Sequence, residues 1–209
     1  MNTNERILAL YLDAPLQSWG YQSRFDRRTS FSMPTRSGII GMVCAAMGID
    51  RSDTNTLTGF SAVDMTVLVF RQYPRLTDFH TVGGGWDKKI DPLNMVPKAN
   101  GSPGDTNVTR REYLQDSRFG VLATGPEKLL FDIHEALMHP RWGIWFGRKS
   151  CIPASPVCQG LFDSEQTAVA HLSALAGEPE IRRVEAAARF EEGNLTLNDI
   201  PLDFYNRTY

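Results

Sequence analysis

"PTRSGIIGMVCAAMGID", residues 34–50, decides how the rest of the chain is read. Pro34 is pre-set for the first turn of a helix, and Thr35 or Ser37 can cap it. The run that follows is almost wholly apolar or small, so the helix belongs in a core rather than on a surface. Gly38 and Gly41, three apart, share one face and permit close packing against a sheet. Gly48 can take the left-handed conformation that stops the helix. The start of this core helix is polar and cationic: Arg36 sits between two hydroxyls, after a loop with Arg24, Arg27 and Arg28. A helix N-terminus offers unpaired N–H groups and a partial positive charge. The stretch therefore predicts a helix that packs inward and holds a phosphate at its N-terminus. Plain capping by Thr35 and Ser37 is compatible with that role.

Working outward, 7–12 (ILALYL) reads as a strand, and 13–33 as a loop. Residues 65–70 (MTVLVF) form a second strand, and 78–82 (DFHTV) can extend the pattern. Residues 83–109 are rich in glycine and proline and lack periodicity, a long excursion from the core. Residues 119–123 (FGVLA) read as a strand. In 127–138 (EKLLFDIHEALM), Leu129, Leu130, Ile133, Leu137 and Met138 recur at helical spacing. Pro140 ends that helix, and 142–146 (WGIWF) reads as the next strand. This order predicts an α+β, modified ferredoxin-like (RRM-like) β-α-β-β-α-β domain over 1–160. A small C-terminal appendix, 161–209, would hold one helix at 164–176 and short strands at 181–187, 195–197 and 204–207.

The chain has 209 residues and a net charge of −2, with no run long enough to span a membrane. The N-terminus is too short and too polar for a signal peptide. Cys44, Cys151 and Cys158 form neither a disulfide framework nor a zinc knuckle, which fits reduced thiols in the cytoplasm. The charge is unevenly spread: 161–209 carries four basic and nine acidic residues, net −5, and 1–160 carries eighteen basic and fifteen acidic, net +3. Basic groups cluster at Arg24–Arg28 with Arg36, at Arg110, Arg111 and Arg118, and at Arg141, Arg148 and Lys149. Local patches, not totals, decide nucleic-acid contact. Each such arginine can equally be a solvated surface charge.

No catalytic constellation is visible. His80, His134, His139 and His171 lie in unrelated settings, and no metal-ligand spacing, Walker loop or nucleophile elbow occurs. Gly83-Gly84-Gly85 leads into no helix and reads as a hinge. His80 alone neighbours the excursion, where binding or packing outweighs acid–base work. Binding signals are stronger: Trp19, Tyr21, Phe25 and Phe31 interleave with Arg24, Arg27 and Arg28, as on a single-strand RNA platform. Trp19 can equally be a core aromatic.

Four blocks in order carry a family resemblance: "APLQSWG" at 14–20, "PTRSGIIGMVCAAMGIDRSD" at 34–53, "DFHTV" with "REYLQDSRFGV" at 78–82 and 111–121, and "HPRWGIWFGRKSCIPASPV" at 139–157. Over about residues 5–160 the chain resembles the CasD-like members of the fifth Cas family, RNA-binding RAMP proteins of the type I-E CRISPR surveillance complex, Cascade. The resemblance implies a non-catalytic subunit in antiviral defence, without metal or cofactor, that holds the 5′ handle of the CRISPR RNA. Implied partners are a CasC-like backbone subunit, a large PAM-reading subunit and, through the complex, target DNA. It implies that 83–109 is a thumb over the RNA. RNA contacts are expected from Gln17, Trp19, Gly20, Arg24, Arg27, Arg28, Pro34, Thr35, Arg36, Ser37, His80, Thr81, Arg110, Arg111, Tyr113, Arg148, Lys149 and Ser150. Two alternatives stand beside this reading. One is a metal-independent endoribonuclease of the I-C kind, using His80 and Tyr113 with a lysine. The other is a protein-only scaffold.

Overall fold

The computed structural model describes residues 5–23, 26–82, 100–101, 106–177, 180–186, 192–193 and 195–209. The elements in chain order are β1 (Glu5–Asp13), β2 (Leu16–Gln17), β3 (Arg27–Arg28), α1 (Arg36–Met47), α2 (Thr54–Gly59), a 3-10 turn (Phe60–Ala62), β4 (Asp64–Arg71), β5 (Arg75–Val82), β6 (Asn107–Gln115), β7 (Arg118–Pro126), α3 (Glu127–Met138), β8 (Cys158–Phe162), α4 (Glu165–Ala176) and β9 (Arg183–Ala186).

β1 is apolar at both parities because it is covered on both sides. Leu8, Leu10 and Leu12 enter one core, while Ala9 and Tyr11 enter the other. Its strand neighbours follow the same rule: Phe119 and Val121 join the first core and Leu122 the second, and in β4 Val67 and Val69 oppose Leu68 and Phe70. Together they form a five-stranded sheet in the order β8-β1-β7-β4-β9, with every pairing antiparallel. α1 and α3 pack on one face. On the other, Ala168, Leu172 and Ala176 of α4 are wholly buried. α4 comes close because Gly120 has no side chain: a Cβ there would lie 2.9 Å from Leu172 Cδ1. Burying each large aliphatic or aromatic side chain contributes about 1.5–3 kcal/mol, so both layers matter to stability.

A second sheet is built on β6. β5 pairs with it antiparallel along one edge; β2 (antiparallel) and β3 (parallel) share the other. The two sheets join where β1 turns into β2 and where β6 turns into β7.

α1 forms where expected. Thr35 caps it, its hydroxyl accepting from Gly38 N–H at 3.3 Å. Gly48 (φ 71) ends it, with Gly48 and Ile49 N–H donating to Ala45 and Cys44 carbonyls. α3 spans the expected 127–138, though Met138 lies on its exposed side. Residues 142–146 are not a strand: the next strand is β8, Cys158–Phe162, paired with β1. The backbone N–H groups of Arg141 and Trp142 go instead to the Ala46 and Ala45 carbonyls at the end of α1. The boundary expected at residue 160 therefore falls inside β8. The strands expected at 195–197 and 204–207 are absent; an Asp203–Thr208 bridge closes a turn there. β9 matches the expectation at 181–187 and pairs with β4.

The 139–157 loop is locked at Gly147, which has φ 92; a Cβ there would sit 1.8 Å from the Ser18 carbonyl oxygen. Gly147→Ala is therefore expected to lower stability by about 3 kcal/mol or more, from strain and the clash with main chain. Gly20→Ala, where a Cβ meets nothing within 4 Å, is expected to melt like the parent. Thermal melting of the two variants checks this, and equal melting temperatures would refute it.

Candidate nucleic-acid interface

The "QSW" of residues 17–19 is interior. Gln17 is wholly buried and Trp19 is 1% exposed. The Gln17 side-chain amide donates to the Leu12 carbonyl at 3.0 Å and the Ser117 carbonyl at 2.7 Å, and its oxygen accepts the Trp19 indole N–H at 3.0 Å. Trp19 N–H donates to Ser30 Oγ at 3.0 Å, and the Trp19 ring lies 5.8 Å from that of Phe146. Gly38 makes room for the indole, since a Cβ there would approach Trp19 to 2.8 Å. Gln17 and Trp19 are thus corrected from RNA contacts to core residues. Pro34 and Thr35 are buried too, Thr35 by its cap.

The α1 N-terminus is already occupied. The backbone N–H groups of Arg36 and Ser37 donate to the Asp199 carboxylate, the latter at 2.9 Å, and the Ser37 hydroxyl donates to it as well. The Arg36 guanidinium turns inward and donates to the Phe60 carbonyl at 3.0 Å. The groups expected to hold a phosphate hold a carboxylate from the C-terminal segment, which carries the same sign and offers the same acceptors. Nothing in the sequence near 34–37 signals this partner.

Arg148 is also committed internally. It donates to the Glu112 carbonyl at 2.8 Å and the Arg28 carbonyl at 2.9 Å, with its guanidinium 4.5 Å from the Tyr113 ring centroid. It ties the 139–157 loop to the second sheet and covers Tyr113, which is 5% exposed. Lys149, Ser150 and Gly20 are exposed.

Several exposed arginines gather on the second sheet. Arg27 and Arg28 are exposed on β3, in register with Arg110 and Arg111 of β6. Arg110 is exposed, and its ion pair with Asp26 at 3.7 Å is open to water on both sides, so it contributes little. Arg111 is half-buried and donates to Thr109 Oγ1 at 3.0 Å. Thr81 and His80 lie on β5; Thr81 is exposed and His80 half-buried. Arg24 lies outside the described residues, as do 83–99 and 102–105 of the excursion.

His80 is opposite Thr109, and Tyr113 is opposite Leu76. Four strand positions, roughly 13 Å, separate the two candidates of the endoribonuclease alternative. The thiols are poor nucleophiles: burial pushes Cys44 up to about 12 and raises Cys151 and Cys158. Among the described residues no group of His, Cys, Asp and Glu is gathered for a metal ion, and no helix is long and apolar enough to cross a membrane.

The family model described as CRISPR-associated protein (Cas_Cas5) matches residues 7–209. The chain belongs to this family. It is 31% identical, over 165 residues, to the CRISPR system Cascade subunit CasD of Escherichia coli (strain K12), covering 73% of this chain and 70% of that one. A chain of a solved structure titled "CRISPR RNA-guided surveillance complex" superposes with a TM-score of 0.76 at 36% identity, covering 95% of this chain and 83% of that chain. A second structure, "Crystal structure of Cas protein", gives a TM-score of 0.52 at 31% identity, over 78% and 69%.

The inward-facing groups of this family member make a clear expectation. Asp199→Ala is expected to lower stability by about 1 kcal/mol through loss of the carboxylate that accepts the Arg36 and Ser37 N–H groups, with the Thr35 cap left in place. Arg36→Ala is expected to cost a similar amount by removing the side-chain hydrogen bond to the Phe60 carbonyl, which is left with the Val63 N–H alone. At this chain length each corresponds to a drop of about 2–4 °C in melting temperature. An Arg36→Ala protein that melts like the parent would return Arg36 to the set of ligand-binding residues.

Proposed function

We propose that this protein is the RNA-holding subunit of a Cascade-type CRISPR surveillance complex, binding the 5′ handle of the CRISPR RNA and performing no catalysis. The observation that carries this is the extent of the likeness to a chain of an RNA-guided surveillance complex: 95% of the chain at 36% identity. The cationic second sheet, with Arg27, Arg28 and Arg110 exposed, supports it as a backbone-contacting surface. We read the order β8-β1-β7-β4 with α1 and α3 on one face as the ferredoxin-like β-α-β-β-α-β unit. In this reading the excursion between β5 and β6 is the thumb, and the last residues of the expected 83–109 span, 107–109, already belong to β6. The subunit caps a filament of CasC-like subunits beside the large PAM-reading subunit, meets target DNA only through the assembly, and works in the cytoplasm. The separation of His80 from Tyr113, and the burial of Tyr113, weigh against the endoribonuclease.

Co-expression with a CasC-like partner and repeat-bearing RNA tests this. The expected outcome is a complex that retains intact handle RNA and dissociates on ribonuclease treatment, while the chain alone leaves repeat RNA uncut without metal. Cleavage abolished by His80→Ala would favour the endoribonuclease, and assembly indifferent to ribonuclease would favour the scaffold.

A further inference from the structure

The register of the second sheet brings three exposed side chains into one row. β3 pairs with β6 so that Arg27 lies beside Arg110, and β6 pairs with β5 so that Arg110 lies beside Phe79. Directly paired residues point to the same face of a sheet and stand about 5 Å apart. Phe79 is 61% exposed, and the Arg110 guanidinium lies 6.0 Å from its ring centroid. The other β5 residues on that face are Arg75, Thr77 and Thr81, all exposed. On β6 the same face carries Glu112, opposite Thr77 and ion-paired with Arg75 at 3.5 Å, so Phe79 is an isolated ring among charged and hydroxyl groups, not part of the contiguous apolar patch a protein interface centres on.

We propose that this row, Arg27–Arg110–Phe79, is a single-nucleotide subsite: Phe79 stacks a nucleobase of single-stranded RNA while Arg110 and Arg27 contact the flanking phosphates. The inference deepens the RNA-holding reading and rests on it. Stacking uses the face of the base, which every base has, so the subsite accepts any of the four. The ring is held by the β5–β6 ladder rather than by a loop, and its position is thereby fixed before the RNA arrives. Arg110 takes its place partly through its own backbone, since its N–H donates to the Asp26 carbonyl at 2.8 Å and joins β6 to the start of β3.

The test uses the full chain and a fluorescein-labelled RNA octanucleotide of mixed sequence, with anisotropy titrations over a salt series. Phe79→Ala is expected to weaken binding roughly 5- to 100-fold with the salt slope unchanged. Phe79→Trp should retain affinity, whereas Phe79→Leu, apolar but ringless, should fall with Phe79→Ala. Arg27→Ala and Arg110→Ala should each lower the salt slope by about one. An octanucleotide carrying 2-aminopurine should be quenched by the parent and not by Phe79→Leu. Matching melting curves establish that the exposed substitutions leave the fold intact. If the parent binds with a steep salt slope and Phe79→Ala or Phe79→Leu binds as tightly, the row is wrong and the RNA-holding reading stands. If the parent shows no salt-dependent binding of the RNA, both fall.

Discussion

The side-chain amide of Gln17 holds the two sheets at their junction. It is fully buried, and all three of its observed hydrogen bonds run to fixed points: the end of β1, the residue before β7, and the Trp19 indole. A buried amide left unpaired costs about 1–3 kcal/mol, so the register of β1, β2 and the β6–β7 turn stands or falls together. Trp19 carries the constraint further, because its ring occupies the notch left by Gly38 in α1. The 139–157 loop then closes over it through Phe146 and the Ser18–Phe146 backbone bond. The arginine-bearing second sheet is thus aimed by a polar group that never touches solvent.

What was legible in the sequence was what depends on local composition. α1 announced itself by its cap, its apolar run and its terminal glycine, and β1, β4, β7 and α3 by unbroken or periodic apolar stretches. Composition favours WGIWF over CQGLF as the fourth strand of the main sheet, because WGIWF is richer in strand formers. Strand identity there depends on where the backbone donors go, and those of 141–142 go to the end of α1. The site was less legible. A tryptophan, a glutamine and a serine compose equally a stacking surface or a buried hydrogen-bonded knot, and Gln17–Trp19 is the knot. Asp199 lies far from Arg36 in sequence, and no local pattern links the two. Phe79 lies inside the DFHTV block, but its value comes from a register with Arg110 and Arg27 that only the pairing of three strands supplies.

The arginines divide by the same logic. Arg36 and Arg148 each tie down main-chain carbonyls distant in sequence, Phe60 by one and Glu112 and Arg28 by the other, beside the Val63 N–H that also reaches Phe60 and the Ser18 hydroxyl that also reaches Glu112. Their planar, multi-donor head groups suit this bridging role. Arg27 and Arg110 have main-chain positions fixed by β3–β6 pairing and side chains left in water. A cluster of arginines in sequence therefore contains both structural ties and free cations. The deciding question is whether a main-chain carbonyl of a neighbouring element lies within reach of the head group.

The covering of the main sheet explains why the working face lies elsewhere. A four-stranded RNA platform binds bases on a sheet face that helices leave open. Here α1 and α3 cover one face through Leu8, Leu10 and Leu12, and α4 covers the other through Ala9, Tyr11, Leu68 and Phe70. Gly120 lets α4 approach so closely that no base could enter beneath Leu172. With both faces sealed, the strand face open to a nucleic acid among the described residues is that of the second sheet, where β5 is exposed along most of its length. The helix expected in the C-terminal appendix, α4, is what closes the main sheet, and its closure leaves the β3–β6–β5 face open.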